Sequence, residues 1–147
     1  MIDIRVMTKD DYDGVFELWK NTPGMGLNTA DDSREGIEKY LKRNPDTSFV
    51  AIHEGKIIGV IMAGHDGRRG YIYHTAVLQK FRGQGIGKEL VDRATEALDR
   101  EGINKIALVA FAENKIGNGF WDSIGFSERD DLVYRNRNIN DLKKIDT

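Results

Sequence analysis

An α/β architecture, in which one mixed sheet carries helices on both faces (α+β under schemes that weigh its antiparallel part), is what this 147-residue sequence predicts, on three observations. Short runs with apolar residues at period two recur along the chain, as half-buried strands require. Between them lie segments with apolar residues at i, i+3, i+4 and i+7, the stripe a helix lays on a sheet. The run Ile106, Ala107, Leu108, Val109, Ala110, Phe111 is apolar throughout, as in a strand covered on both faces.

The elements follow in order. Ile2, Ile4 and Val6 alternate as an opening strand. Thr8 with Asp11 resembles a capping box in which Asp replaces the usual Glu. Tyr12, Val15, Phe16 and Trp19 then share one helical face, and Pro23 ends that region. After the flexible connection Gly24-Met25-Gly26-Leu27, Asp32 with Glu35 suggests a second cap, followed by Ile37, Tyr40 and Leu41. Pro45 closes this second helix. Residues 48–53 and 56–63 are β-rich runs joined across Glu54-Gly55, a short hairpin signal. A turn over 65–70 leads into strand 71–78. The next helix places Ile86, Leu90, Ala94 and Leu98 on one stripe and stops at Gly102. Strand 106–111, helix 114–123 and two short strands, around Phe126 and over 132–136, complete a β-α-α-β-β-β-α-β-α-β-β order. No repeat, low-complexity tract or linker interrupts the chain, so residues 1–147 are expected to form a single domain.

Bulk properties exclude several classes of function. A chain of this length buries roughly 70% of its unfolded surface. Twenty-two basic against 24 acidic side chains leave a net charge of −2, with no broad basic field for nucleic acid. The absence of cysteine excludes a disulfide framework, a thiolate metal site and a cysteine nucleophile, and suits a reducing cytosol. The N-terminus lacks a signal-peptide apolar core, and no apolar run approaches the length of a membrane span. The expectation is a soluble, cytoplasmic protein without membrane or nucleic-acid partners.

The most informative stretch is Val77-Leu78-Gln79-Lys80-Phe81-Arg82-Gly83-Gln84-Gly85-Ile86-Gly87-Lys88, which joins an apolar strand to an amphipathic helix through a glycine-rich turn. Such a turn leaves backbone N–H groups unpaired at the positive end of a helix, and glycines let an anion approach them. Arg82 and Lys88 add charge, so the stretch reads as a phosphate cradle. A Walker A loop is excluded, because Glu89 follows Gly87-Lys88 and Arg82 stands where its first glycine belongs. A dinucleotide fingerprint is disfavoured, because Gly83, Gly85 and Gly87 are spaced G-x-G-x-G and not G-x-G-x-x-G. Arg82, Gly85 and Gly87 do satisfy Arg-x-x-Gly-x-Gly.

At these residues the chain resembles the GNAT superfamily of N-acetyltransferases, as a small, single-domain, bacterial-type member. The resemblance extends over residues 2–134 through the order of elements and a second landmark, Asn114 opening a helix that ends before Gly125-Phe126. It implies a mostly antiparallel central sheet of six to seven strands. It also implies acetyl-CoA as co-substrate, with no metal. In such proteins two central strands splay and the pantetheine arm pairs with the freed backbone, here that of Ala76, Val77 and Leu78. Amides of Gly83, Gln84, Gly85, Ile86, Gly87 and Lys88 would hold the pyrophosphate, supported by Arg82. Asn114 would bond the pantetheine arm while also capping its helix. Gly117 stands where the family usually has Ala beside the cofactor, and Trp121 follows on the same helix. Gly117 and Gly119 each cost about 1 kcal/mol inside a helix. A backbone pressed against the ligand would explain Gly117, whereas Gly119 is left without a reason.

The reaction so implied is direct attack of an amine on the thioester, which the lack of a cysteine nucleophile favours over a covalent route. Deprotonating a lysine-like amine near pH 7 costs roughly 4–5 kcal/mol, so a base or a desolvating pocket must help. The family's usual acid is a Tyr five residues before the Phe of Gly-Phe, and here that position is Trp121, whose indole cannot supply a proton. The Glu found five residues before the Asn in N-terminal acetyltransferases of ribosomal proteins is here Val109. Substitutes are His74 as base, on the strand beside the thioester, with Tyr73 on the opposite face and Tyr134 from the late strand. Ordinary packing competes for all three. On the acceptor side, Asp31 and Asp32 could attract a cationic amine, or form a solvated loop in which Asp32 caps a helix. His53 and His65 show no ligand spacing. The leading function is an acetyl-CoA-dependent N-acetyltransferase acting on a primary amine of a small molecule or protein, as monomer or homodimer. The alternative, which Trp121 favours, is a weak or inactive acyl-CoA-binding regulatory module.

Overall fold

The computed structural model describes residues 1–147. Strands are β1 (Ile2–Val6), β2 (Leu27–Asn28), β3 (Phe49–His53), β4 (Lys56–His65), β5 (Gly70–Val77), β6 (Ile106–Ala107) and β7 (Lys144–Ile145). Helices are α1 (Tyr12–Lys20), α2 (Arg34–Arg43), α3 (Ile86–Arg100) and α4 (Lys115–Ser123). No helix is long and apolar enough to cross a membrane.

The central sheet has five strands in the order β1-β3-β4-β5-β6, antiparallel except for the parallel pair β5-β6. The hairpin expected at Glu54-Gly55 forms with positive φ at both residues, 49° and 75°, the twist a two-residue turn needs between right-twisted strands. Alternation in β3 sends Phe49 and Ala51 to one face and Val50 to the other. The first face is covered by the apolar stripe of α3, with Leu90, Ala94 and Leu98 fully buried. The second is covered by α1 and α2 through Val15, Leu18, Trp19, Ile37 and Leu41. Helices on both faces are therefore as expected.

Three expectations about strands are corrected. The run 106–111 pairs only at Ile106 and Ala107, and Val109 and Phe111 are 56% and 61% exposed. Its apolar character faces a cleft and not two covering layers. The strands expected around Phe126 and over 132–136 do not form, because β6 offers no edge beyond its two paired residues. Leu132, Val133 and Tyr134 are exposed there. Instead the far C-terminus returns as β7 and pairs antiparallel with β2, in the connection read as flexible. The central sheet thus has five strands, and a separate two-stranded ribbon makes seven in all.

The entry to α1 is held by Asp11. Its nearly buried carboxylate accepts from both terminal nitrogens of Arg5, at 2.8 and 2.7 Å, and from the Thr8 amide at 2.8 Å. Burial pushes the Asp11 carboxyl up, but the Arg5 and Thr8 hydrogen bonds outweigh it, and the group lies below the ordinary carboxylate range. A folded-state pKa below the unfolded value stabilises fully above the unfolded pKa of about 3.9, and that stabilisation is lost as pH falls through the folded value. Asp11→Ala is expected to cost about 1–3 kcal/mol at neutral pH. Thermal unfolding as a function of pH should show the gap to the parent closing as pH falls below the ordinary carboxylate range, once the native Asp11 is protonated. A gap that persists there would assign the effect to packing.

Candidate active site

Strands β5 and β6 pair at Gly70–Ile106 and Tyr71–Ala107 and then part. Between them opens a cleft of about 2320 Å³, walled by Thr75 and Val77 on one side and Leu108 and Ala110 on the other. Ala76 and Val77 line it, whereas the Leu78 amide donates to Ile58 O in β4 at 2.8 Å, away from the opening. Arg82 Nε donates to Val77 O at 3.0 Å, so Arg82 ties the strand end to the glycine turn while still lining the cleft.

At the end of the cleft stands the N-terminus of α3. Gly83 and Gly85 have φ of 79° and 80°, the left-handed region that favours glycine, and the added Cβ would meet nothing. The first helical bond runs from Glu89 N to Gly85 O, and no side chain caps the amides ahead of it. Those of Ile86, Gly87 and Lys88 sit at the positive end of a 15-residue helix, and these three residues line the cleft. Lys88 pairs with Asp92 one turn on, and Gln84 is exposed off the cleft. Such a cradle fits a pyrophosphate, and the parted strands fit an extended arm beside it.

Across the cleft, Asn114 caps α4 by accepting from Gly117 N at 2.9 Å. A Cβ on Gly117 would collide with the Asn114 side chain, so Gly117 makes room for that cap while lining the cleft. Nothing in the structure explains Gly119. Trp121 stacks edge-on with Phe120 and Phe126 at 5.0 and 5.2 Å and lines the cleft.

The other end is built around His74. Residues 74 and 75 together oppose Ile61, a bulge that shifts the β4–β5 register, so Ile72 packs under α3 while Ala76 packs under α1. His74 takes φ 42°, rare for a residue with a side chain, and its carbonyl accepts from Trp19 Nε1 at 3.0 Å. The bulge also brings Tyr73 and His74 to the same cleft, their rings 6.1 Å apart, where strict alternation would put them on opposite faces. His74 Nε2 lies 2.9 Å from Asp32 Oδ1, with side chains 16% and 4% exposed. Asp32 Oδ2 accepts from the Asn28 amide at 2.8 Å, and Tyr12 OH donates to the Asp32 carbonyl at 2.8 Å. Asp32 is therefore not the cap of α2. That role falls to Ser33, whose hydroxyl accepts from Gly36 N at 3.0 Å. Asp31 is exposed at the cleft mouth.

A wall of phenols completes this end. Tyr73 packs against Tyr71 at 4.7 Å and edge-on against Tyr40 at 5.9 Å. Burial, then the neighbouring Tyr134, pushes the Tyr71 and Tyr73 phenols up, so both hold their protons at neutral pH. Tyr134, 66% exposed, lines the same cleft from the irregular segment that replaces the expected strand. The sequence reading named His74, Tyr73, Tyr134, Asp31 and Asp32 separately, and the fold brings all five to one end of one cleft. It missed Tyr40 and Trp19, whose helical spacing shows only that they face the core. No group of three His, Cys, Asp or Glu side chains could hold a metal ion.

The acetyltransferase (GNAT) family model matches residues 12–126. An acetyltransferase of Pectobacterium atrosepticum is 32% identical over 140 residues, covering 95% of this chain and 98% of that protein. One of Photorhabdus laumondii is 32% identical over 142 residues, with the same coverage of 95% and 98%. Among solved structures, the PaiA N-acetyltransferase of Thermoplasma acidophilum, in complex with coenzyme A, superposes with a TM-score of 0.74 over 99% of each chain at 17% identity, a likeness of fold.

Proposed function

Since this chain belongs to the GNAT family of acetyltransferases, we propose that it moves an acetyl group from acetyl-CoA to a primary amine of a small molecule or protein by direct attack. The observation that carries this reading is the meeting of two features in one cleft: uncapped amides at the start of α3, and the parting of β5 from β6. The first suits the pyrophosphate, the second the pantetheine arm. Amides of Ile86, Gly87 and Lys88 would take the phosphate oxygens, Gly83 and Gly85 would let them approach, and Arg82 would hold the turn against Val77. Ala76 and Val77 would flank the arm, with Trp121 and Gly87 closing the cleft beside it. With no cysteine in the chain, the amine attacks the thioester itself.

The far end supports an amine as acceptor. Asp31 adds negative charge at the cleft mouth, and phenol faces of Tyr71, Tyr73 and Tyr134 suit a cation before it loses its proton. The reading is tested by CoA release from acetyl-CoA over a panel of polyamines, amino acids, aminoglycosides and peptides, with binding followed by thermal shift. The expected result is binding together with release for at least one amine class. Binding with no release between about pH 6 and 9 would turn the assignment to an acyl-CoA-binding module, the reading that Trp121 at the acid position favours. Failure to bind would remove both.

A further inference from the structure

We propose that Asp32 is a positioning residue that makes His74 the base of this site, with Nδ1 the atom that takes the proton of the attacking amine. The proposal rests on the acetyl-transfer reading above and goes beyond it in naming the base, the proton-accepting atom and the group that selects it.

Hydrogen bonding fixes the tautomer. Both carboxylate oxygens of Asp32 are acceptors in use, Oδ2 for the Asn28 amide at 2.8 Å and Oδ1 for His74 Nε2 at 2.9 Å. A carboxylate has no proton to give, so Nε2 carries the hydrogen and the lone pair of the neutral ring lies on Nδ1. No protein group bonds Nδ1, and the ring lines the cleft. The ring is also held from behind. Trp19 meets it edge-on at 5.1 Å and ties down the His74 carbonyl, and Tyr12 anchors the backbone of Asp32. Backbone strain at His74, φ 42°, serves to aim the ring, since a regular strand would turn it elsewhere.

The step balances without any other reactant. The amine lone pair forms the new C–N bond at the thioester carbonyl carbon, and the C–S pair leaves on sulfur. The proton released from nitrogen goes to Nδ1, where Asp32 stabilises the imidazolium, and passes from there to the thiolate or to water. Tyr73 stands beside His74 from its own strand, and Tyr12 from α1 bonds the backbone of Asp32. Asp32 is the charged group that faces the ring; Trp19 from α1 is neutral.

Asp32→Asn is the discriminating variant because it keeps the shape. The Asn28 amide still requires an oxygen, so the new NH₂ points at Nε2, which must then accept. The ring proton moves to Nδ1 and the base is lost. Turnover of the best amine should fall at least tenfold, with the acetyl-CoA Kd within about twofold. His74→Ala should fall at least as far, and the double variant no further than His74→Ala. Nitrogen-15 NMR of the imidazole should show Nε2–H in the parent and Nδ1–H in Asp32→Asn, a readout a merely structural pair would not link to rate. Unchanged turnover in either single variant, additive losses in the double, or an Nδ1–H parent would overturn the pair while leaving the acetyltransferase standing. A parent that binds acetyl-CoA but acetylates no amine would overturn the acetyl-transfer reading and the base with it. Should Asp32→Asn fail to fold, the parent's tautomer and the His74→Ala rate still decide.

Discussion

Gly85→Val is expected to bind acetyl-CoA at least tenfold more weakly than the parent, while its Tm falls by only about 3–8 °C. Gly85 caps α3 at φ 80°, where a β-branched residue pays about 1–2 kcal/mol of backbone strain. A Cβ there meets no neighbour within 4 Å, so strain is the whole cost to folding, and for a chain of this size each kcal/mol moves Tm by a few degrees. Binding suffers separately. Relieving the strain turns the peptide planes that carry the α3 amides, and the branched side chain stands over the face a phosphate must approach. A tenfold loss corresponds to about 1.4 kcal/mol of binding free energy. Calorimetric titration with acetyl-CoA measures it. An unchanged Kd would move the phosphate site away from the start of α3.

Trp19→Ala is expected to lower stability by about 3–5 kcal/mol, the range for emptying a buried aromatic site. Trp19 has no exposed surface and projects from α1 into the core that α1 and α2 form on the sheet. It does more than fill space, because its indole N–H donates to the carbonyl of the strained His74. Trp19→Phe separates the two contributions. It keeps most of the apolar area but leaves that acceptor unpaired, at a cost of about 1–3 kcal/mol. Turnover should fall in Trp19→Phe even at temperatures where it is fully folded, because the bulge no longer holds the His74 ring toward the cleft. Urea unfolding and turnover of the same two proteins check this. Full turnover in folded Trp19→Phe would show that the bulge holds without the bond.

Residues whose role is local were legible in the chain. Spacing of Tyr12, Val15 and Trp19, of Ile37 and Leu41, and of Leu90, Ala94 and Leu98 needs only the period of a helix, and all form as read. Glu54-Gly55 needs only its turn geometry. The run from Arg82 to Lys88 was legible as a glycine turn that leaves the first amides of α3 uncapped, because its meaning lies in backbone conformation between a strand and a helix, both written in neighbouring residues.

Only tertiary structure decided the rest. Apolar content alone could not show that 106–111 lines a cleft, nor that 132–136 would find no strand edge to pair with, because pairing depends on a distant partner. Asp32 read as a cap because Glu35 follows it, yet Ser33 takes the cap and frees Asp32 for a histidine 42 residues away. That pairing exists because a one-residue bulge in β5 rotates His74 and Trp19 holds it there. Backbone preferences act over a few residues and are written beside one another. Contacts across the sheet depend on register, which a single inserted residue resets for everything beyond it.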